Sequence, residues 1–295
     1  MHLDPQHLAA LSAILRRGSF DAAAADLGLT QSAISQRLKA LEARVGAQLV
    51  HRGQPSTGTA AGLRLAAHAD QIALLEARLA KDFTALGPAP HTRLRLAVNA
   101  DSLATWLPAA LADLPDQLFD LVIDDQDAAH DRLTRGEVLG ALSTRANPLP
   151  GCDAVPLGRL RYIATASPAF MARHFADGLT AKSLGAAPML RFDAKDRLQE
   201  TWMTRHLGRT IAPPCHMIPS SQGFVAAARL GLGWGLNPEP LVADALASGA
   251  LVPLMTDSAL DTPLYWQSSR VLGAALTPLT RALRRAARET LYPPA

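Results

Sequence analysis

Residues 18–52 read GSFDAAAADLGLTQSAISQRLKALEARVGAQLVHR, and the spacing within them decides the fold of the N-terminal part of the chain. Ser19 can cap a short helix that runs through the alanines Ala22–Ala25 to Leu27, and Gly28 suits the left-handed residue that ends it. Thr30 can cap a longer helix on which Ile34, Leu38, Leu41 and Val45 recur at steps of four, three and four, one buried stripe, before Gly46 closes it. Upstream, Asp4-Pro5 supplies an N-cap and a first-turn proline, and Leu8, Leu11 and Leu15 repeat at helical spacing up to a stop at Gly18. Short helices joined by tight turns in this order predict a helix–turn–helix unit.

On the third helix Gln31, Ser32, Ser35, Gln36 and Lys39 fall on the side away from the stripe. Base-edge reading needs such groups, because Gln pairs bidentately with adenine and Ser approaches closely; an ordinary solvated helix face has the same pattern. After it, Gly53-Gln54-Pro55-Ser56-Thr57-Gly58 reads as a hairpin wing, with Arg52 at its base in reach of a phosphate. Between Thr30 and Arg64 the basic residues Arg37, Lys39, Arg44, Arg52 and Arg64 meet a single acid, Glu42. More positive charge is concentrated there than the formal +3 of the whole chain, as on a phosphate-facing surface.

Thr57 or Thr59 can start a helix reaching about Leu86, with Leu65, Ile72, Leu75, Leu79, Phe83 and Leu86 on one side. At about 1.5 Å per residue it is roughly 40 Å long and outgrows a small winged domain. Its apolar stripe calls for the same helix of a second copy or, failing that, for burial on its own downstream domain. Gly87-Pro88-Ala89-Pro90 reads as a hinge. Beyond it come a strand (93–98), a helix (103–114), a strand (118–124), a helix (128–135) and a strand (138–143), which argue a mostly parallel sheet covered by helices. Further candidate strands are 162–166, 189–192, 216–218, 233–236 and 264–267, with a last helix over 276–291.

The 295 residues, 48% apolar and 19% charged with mean hydropathy +0.07, imply more than one ordered unit and exclude disorder. No apolar run approaches the roughly 20 residues a membrane helix needs, and no secretory signal opens the chain, so a cytoplasmic location with no membrane contact is expected. Cys152 and Cys215 are read as two buried free thiols. No nucleophile elbow, zinc motif or phosphate loop is present, which argues against an enzyme, a metal or a cofactor.

In open α/β sheets ligands sit outside the carboxyl ends of the strands. Asn99-Ala100-Asp101-Ser102 follows the strand at 93–98, Asp124-Asp125 ends the next and Ser143-Thr144 the third. Asp101 and Ser220 could equally be plain N-caps. Ser221, at the start of a helix over 221–230, could close the site from the other side or only cap that helix. Trp106 and Phe192 complete the candidate lining.

The residues Gly18-Ser19-Phe20, Ala22-Ala23, Leu27, Thr30-Gln31-Ser32-Ala33-Ile34-Ser35, Leu38, Leu41-Glu42, Gly46, Leu49 and Arg52 resemble the DNA-binding unit of LysR-type transcriptional regulators. The stretch Leu96–Pro108, with Arg135-Gly136-Glu137-Val138, Pro214-Cys215-His216 and Ser220-Ser221, is similar to the ArgP/LysG branch, which responds to arginine and lysine and controls basic amino-acid export or metabolism. The resemblance spans essentially the whole chain. It implies an N-terminal all-α winged helix–turn–helix (1–60), a dimerisation helix (61–87) and a C-terminal α/β two-lobed effector domain of periplasmic-binding-protein type (88–295). Its lobes are expected near 91–161 with 265–295, and near 162–264.

The same resemblance implies that Gln31, Ser35, Gln36 and Arg52 face DNA, with Thr30, Ser32, Arg37 and Lys39 completing the surface. Implied partners are double-stranded promoter DNA, further copies of the chain as homodimer or homotetramer, RNA polymerase, and lysine or arginine as effector. For such an effector, Asp124 or Asp125 would pair an ammonium group, at most one of them facing the cleft. The helix start near Ser102 would receive the ligand carboxylate. An architectural or replication-inhibiting DNA binder without effector is the alternative with the same N-terminal motif.

Overall fold

In the computed structural model, residues 3–82, 92–123 and 126–294 are described. The N-terminal unit consists of α1 (Pro5–Arg17), α2 (Phe20–Leu27), α3 (Gln31–Val45), the strands β1 (Val50–His51) and β2 (Thr57–Gly58), and the long α4 (Ala60–Asp82). Local chemistry sets the four helix starts. Asp4 accepts from Gln6 N at 2.8 Å, Ser19 from Ala22 N at 3.4 Å, Thr30 from Ala33 N at 3.2 Å and Thr59 from Gly62 N at 3.1 Å. Gly18, at φ 66°, ends α1 in the left-handed region, and a Cβ there would stand 2.8 Å from Cβ of Pro55 in the wing. A Cβ on Gly62 would stand 1.9 Å from the Leu49 carbonyl oxygen, so glycine lets α4 cross the base of the wing.

Leu8, Leu11, Ile14, Ile34, Leu38, Leu41 and Leu49 form the core of this unit, with Val45 only partly buried against it. The apolar residues of α4 divide among three environments. Leu65 and Ile72 pack on the N-terminal core, Leu74 joins the core of the C-terminal domain, and Leu75 and Leu79 stay 42% and 54% exposed. Phe83, Leu86 and the expected hinge lie outside the described residues.

The C-terminal part begins with β3 (Thr92–Val98), α5 (Ala100–Ala104), α6 (Leu107–Ala112), β4 (Gln117–Ile123), α7 (Gln126–Thr134) and β5 (Gly140–Ser143). The long strand β6 (Cys152–Ala166) leads into α8 (Pro168–His174), α9 (Ala181–Ala186), β7 (Met189–Arg191), α10 (Leu198–Leu207), β8 (Cys215–Met217) and α11 (Ser221–Arg229). Then follow β9 (Gly235–Pro238), α12 (Glu239–Ala247), β10 (Val252–Pro253), β11 (Leu260–Ser269) and α13 (Thr277–Thr290). β3 pairs in parallel with both β4 and β5, whereas β11 runs antiparallel to β5 and β6, and β9 and β10 antiparallel to β6. The sheet is therefore mixed rather than mostly parallel. β6 ties the two groups of elements together, pairing β11 over residues 152–162 and β9 over residues 162–165. We call the group on β3–β5 the first lobe and the group on β7–β9 the second.

Three expectations change. The helix expected over 103–114 is broken at Thr105–Trp106, because Trp106 turns inward to 2% exposure and Pro108 opens a new first turn. The strand expected at 162–166 starts ten residues earlier, at Cys152; Pro156 and Gly158 interrupt its pattern, and a register shift between Leu264 and Tyr265 of β11 absorbs the irregularity. Cys152 is buried as expected, but Cys215 is exposed, on a strand whose three residues all face outward.

Candidate functional site

The first surface is the outer face of α3. Ile34, Leu38 and Leu41 hold the helix on the core, which leaves Thr30, Gln31, Ser32, Gln36 and Lys39 exposed and Ser35 half-buried. Thr30 and Ser32 share a hydroxyl hydrogen bond of 3.0 Å. Arg37 lies at the edge of the face and donates to Gln6 Oε1 at 2.8 Å, which ties α3 to α1. Glu42, the acid within the basic stretch, accepts from Leu49 N at 2.9 Å, so its carboxylate supports the loop before the wing. Arg52 is exposed, with its guanidinium carbon 5.0 Å from the Phe20 ring centroid, a contact that presents its N–H groups beside α2. Behind this face Asp26 of α2 is hydrogen-bonded to Arg16 and Arg17 of α1, and the Arg17 bond above all holds its carboxyl below the usual range.

The second surface lies between the lobes, where the sequence places its candidates at the ends of strands and the starts of helices. Asn99 occupies the N-cap position of α5 without a side-chain capping bond, and its buried Oδ1 has no hydrogen-bond partner. Asp101 is consequently not the cap; it sits in the first turn of α5. Its Oδ1 accepts from the Ser221 hydroxyl at 2.7 Å and its Oδ2 from the Tyr162 phenol at 2.7 Å. Ser221 opens α11 in the second lobe, and Tyr162 stands on β6 where that strand passes from β11 to β9. One carboxylate thus gathers first lobe, second lobe and crossing strand.

Electrostatics at this point are unusual. Burial pushes the Asp101 carboxyl above its ordinary range, the Ser221 and Tyr162 hydrogen bonds oppose that rise, and the nearby negative charge of Asp196 adds to it. Burial and the adjacent Asp101 push the Tyr162 phenol up as well. Asp196 is held in place by the backbone N–H groups of Phe192 and Leu198, each at 3.0 Å. Neither Tyr162 nor Asp196 carries a local sequence signal of its role; only the path of β6 and the loop before α10 bring them here.

The remaining candidates divide. Ser220 caps α11, accepting from Gly223 N at 3.1 Å. Ser102 is fully buried and accepts from the Trp106 indole N–H at 3.1 Å, so these two are committed to each other and α5, at five residues, presents no free Ser102 hydroxyl to a ligand. Ser143 is buried and accepts from Arg145 N at 3.0 Å. Phe192 is half-buried beside Asp196. Asp124 and Asp125 lie outside the described residues. Among the described residues no group of three or more His, Cys, Asp or Glu side chains could hold a metal.

Two family models and a set of relatives match the chain along its length. Residues 5–63 match the bacterial regulatory helix-turn-helix protein, lysR family, and residues 87–291 match the LysR substrate binding domain. The HTH-type transcriptional regulator LysG of Mycobacterium tuberculosis is 44% identical over 285 residues, covering 97% of this chain and 94% of its own. ArgP of Pseudomonas fluorescens is 43% identical over 298 residues, covering 98% and 99%. The crystal structure of ArgP from Mycobacterium tuberculosis, 44% identical, covers 100% of both chains at a TM-score of 0.79. Full-length LysG from Corynebacterium glutamicum with bound effector Arg, 38% identical, covers 99% of this chain and 100% of its own at a TM-score of 0.68. With a helix–turn–helix at one end, a substrate-binding fold at the other and these relatives along its whole length, the chain belongs to the LysR family of transcriptional regulators, in the branch of LysG and ArgP.

Proposed function

We propose that the protein is a cytoplasmic, sequence-specific regulator whose grip on promoter DNA changes when a basic amino acid, arginine or lysine, binds between the lobes of its C-terminal domain. The observation that carries this reading is the Ser221–Asp101 hydrogen bond, which joins the lobes through a half-buried carboxylate. A ligand that engages Asp101 must act on the relation between the lobes, and only a ligand with different affinity for two such arrangements alters DNA binding. The arginine-bound relative supports the choice of ligand class.

On the DNA side, Thr30, Gln31, Ser32, Ser35, Gln36 and Lys39 face the major groove. Arg37 braces the helix edge, and Arg52 holds a phosphate. The exposed Leu75 and Leu79 on α4 meet the same helix of a second copy, which sets two half-sites at a fixed spacing, and dimers pair into tetramers. Contact with RNA polymerase follows from the promoter position. No helix among the described residues is long and apolar enough to cross a membrane.

The test is a calorimetric titration of the full chain with each of the common amino acids, followed by footprinting on a site selected from random DNA. Binding confined to arginine and lysine, with a changed footprint, supports the reading. A footprint indifferent to every amino acid contradicts it and favours the effector-free DNA binder.

A further inference from the structure

Asp101 is a half-buried carboxylate with no cation beside it among the described residues. Both of its oxygens are occupied, one by Tyr162 and one by Ser221, and both donors are neutral hydroxyls. Among the described residues no Lys, Arg or His forms an ion pair with it, and the charge that reaches it from nearby, that of Asp196, is negative. A carboxylate partly withdrawn from water loses solvation that a cation would restore, and hydroxyl donors compensate that loss only in part. Its two partners also differ in kind. Tyr162 is fixed within the crossing strand β6, whereas Ser221 belongs to the second lobe and meets Asp101 by way of α11.

We propose that Asp101 is the residue that selects a positively charged ligand, and that the Ser221 hydroxyl occupies the ligand's place in the empty protein, to be displaced by a cationic nitrogen of the amino acid. This rests on the reading that a basic amino acid binds between the lobes, and it moves the cation-pairing role from the ends of β4 to the start of α5. The exchange replaces a neutral donor by a charged one on the same carboxylate oxygen, which is the stronger hydrogen bond. It also removes the direct bond between α5 and α11, so occupancy of the site and the arrangement of the lobes change together.

The proposal predicts opposite signs for two substitutions. Ser221→Ala removes the internal competitor and should tighten arginine and lysine binding about five- to tenfold, the equivalent of one ordinary hydrogen bond. The helix keeps its cap in this variant, because Ser220 rather than Ser221 receives Gly223 N. Asp101→Asn keeps the shape and loses the charge, and should weaken both amino acids by a hundredfold or more.

The experiment is calorimetry on the full chain and both variants with L-arginine, L-lysine, L-citrulline, which lacks the side-chain charge, and Nα-acetyl-L-arginine, which lacks the α-ammonium. The analogue missing the nitrogen that Asp101 reads should bind parent and Asp101→Asn alike. Weaker or unchanged binding by Ser221→Ala overturns the displacement, and in the weaker case makes Ser221 an ordinary ligand contact. Sensitivity to Asp101→Asn that persists with both analogues overturns the selection of charge. A parent chain that binds neither arginine nor lysine overturns the underlying reading itself, a result distinct from any pattern among the variants.

Discussion

The hydroxyl of Ser221 lies 2.7 Å from Oδ1 of Asp101 although 120 residues separate them in the chain. Ser221 begins a helix of the second lobe and Asp101 sits in the first turn of a helix of the first, so a single hydrogen bond reports how the lobes are set. The same carboxylate carries the Tyr162 phenol, which anchors it to the strand shared by both lobes. A change at Asp101 is therefore felt in three elements at once.

The first prediction concerns pH. Burial raises the Asp101 carboxyl above its ordinary value of 3.8, so the folded, empty protein holds this proton more tightly than the unfolded chain does. The contribution of Asp101 to stability is accordingly most favourable at low pH and is lost as pH rises from 3.8 through the raised value. A cationic ligand needs the ionised form, so arginine affinity should fall as pH drops into that window. In Asp101→Asn both dependences should flatten, measured by thermal melts and by titration across pH 4 to about 8.

DNA recognition separates two kinds of contact. Gln36→Ala should erase much of the difference between a selected site and unrelated DNA, worth about 1–3 kcal/mol for a lost bidentate base contact. Arg52→Ala should weaken both and reduce the slope of log affinity against log salt by about one. Fluorescence anisotropy over a salt series measures each. Equal binding by parent and both variants would remove this face from DNA recognition.

The proposed dimer would use the part of α4 that stays exposed. Ile72 packs on the N-terminal core, so a charge there would damage the fold, whereas Leu75 and Leu79 are 42% and 54% exposed. Leu75→Glu with Leu79→Glu should leave the melting behaviour near that of the parent while shifting the mass in light scattering to a monomer. Operator affinity should fall with it, since one half-site supplies too few contacts. A folded variant of unchanged mass would place the dimer contact elsewhere.

Ser102 provides a control on how ligand-site residues are assigned. Its hydroxyl accepts from the buried Trp106 indole, so Ser102→Ala leaves that N–H unpaired and should cost about 1–3 kcal/mol of stability in denaturant unfolding. Arginine affinity at a temperature where the variant is folded should stay close to that of the parent. A stable variant with lost arginine binding would return Ser102 to the ligand.

How far the sequence was legible depends on how local the signals are. The starts and stops of α1, α2 and α3 were readable because Asp4, Ser19 and Thr30 cap and Gly18, Gly28 and Gly46 terminate within a few residues of the helices they bound. β6 was only half visible, since Pro156 and Gly158 break an alternation that tertiary pairing with β11 restores. Asp101 and Ser221 were recognisable as candidates from their positions after a strand and before a helix. Their mutual bond was not, because it depends on where two lobes come to rest, and Tyr162 gave no sign of its role for the same reason.

The most direct test is a crystal structure of the full chain grown with L-arginine. The account predicts a cationic nitrogen of the ligand at hydrogen-bonding distance, about 3 Å, from Asp101, with Tyr162 still donating to that carboxylate and Ser221 no longer doing so. Arginine bound away from Asp101, or bound beside it with the Ser221–Asp101 bond intact, would contradict it.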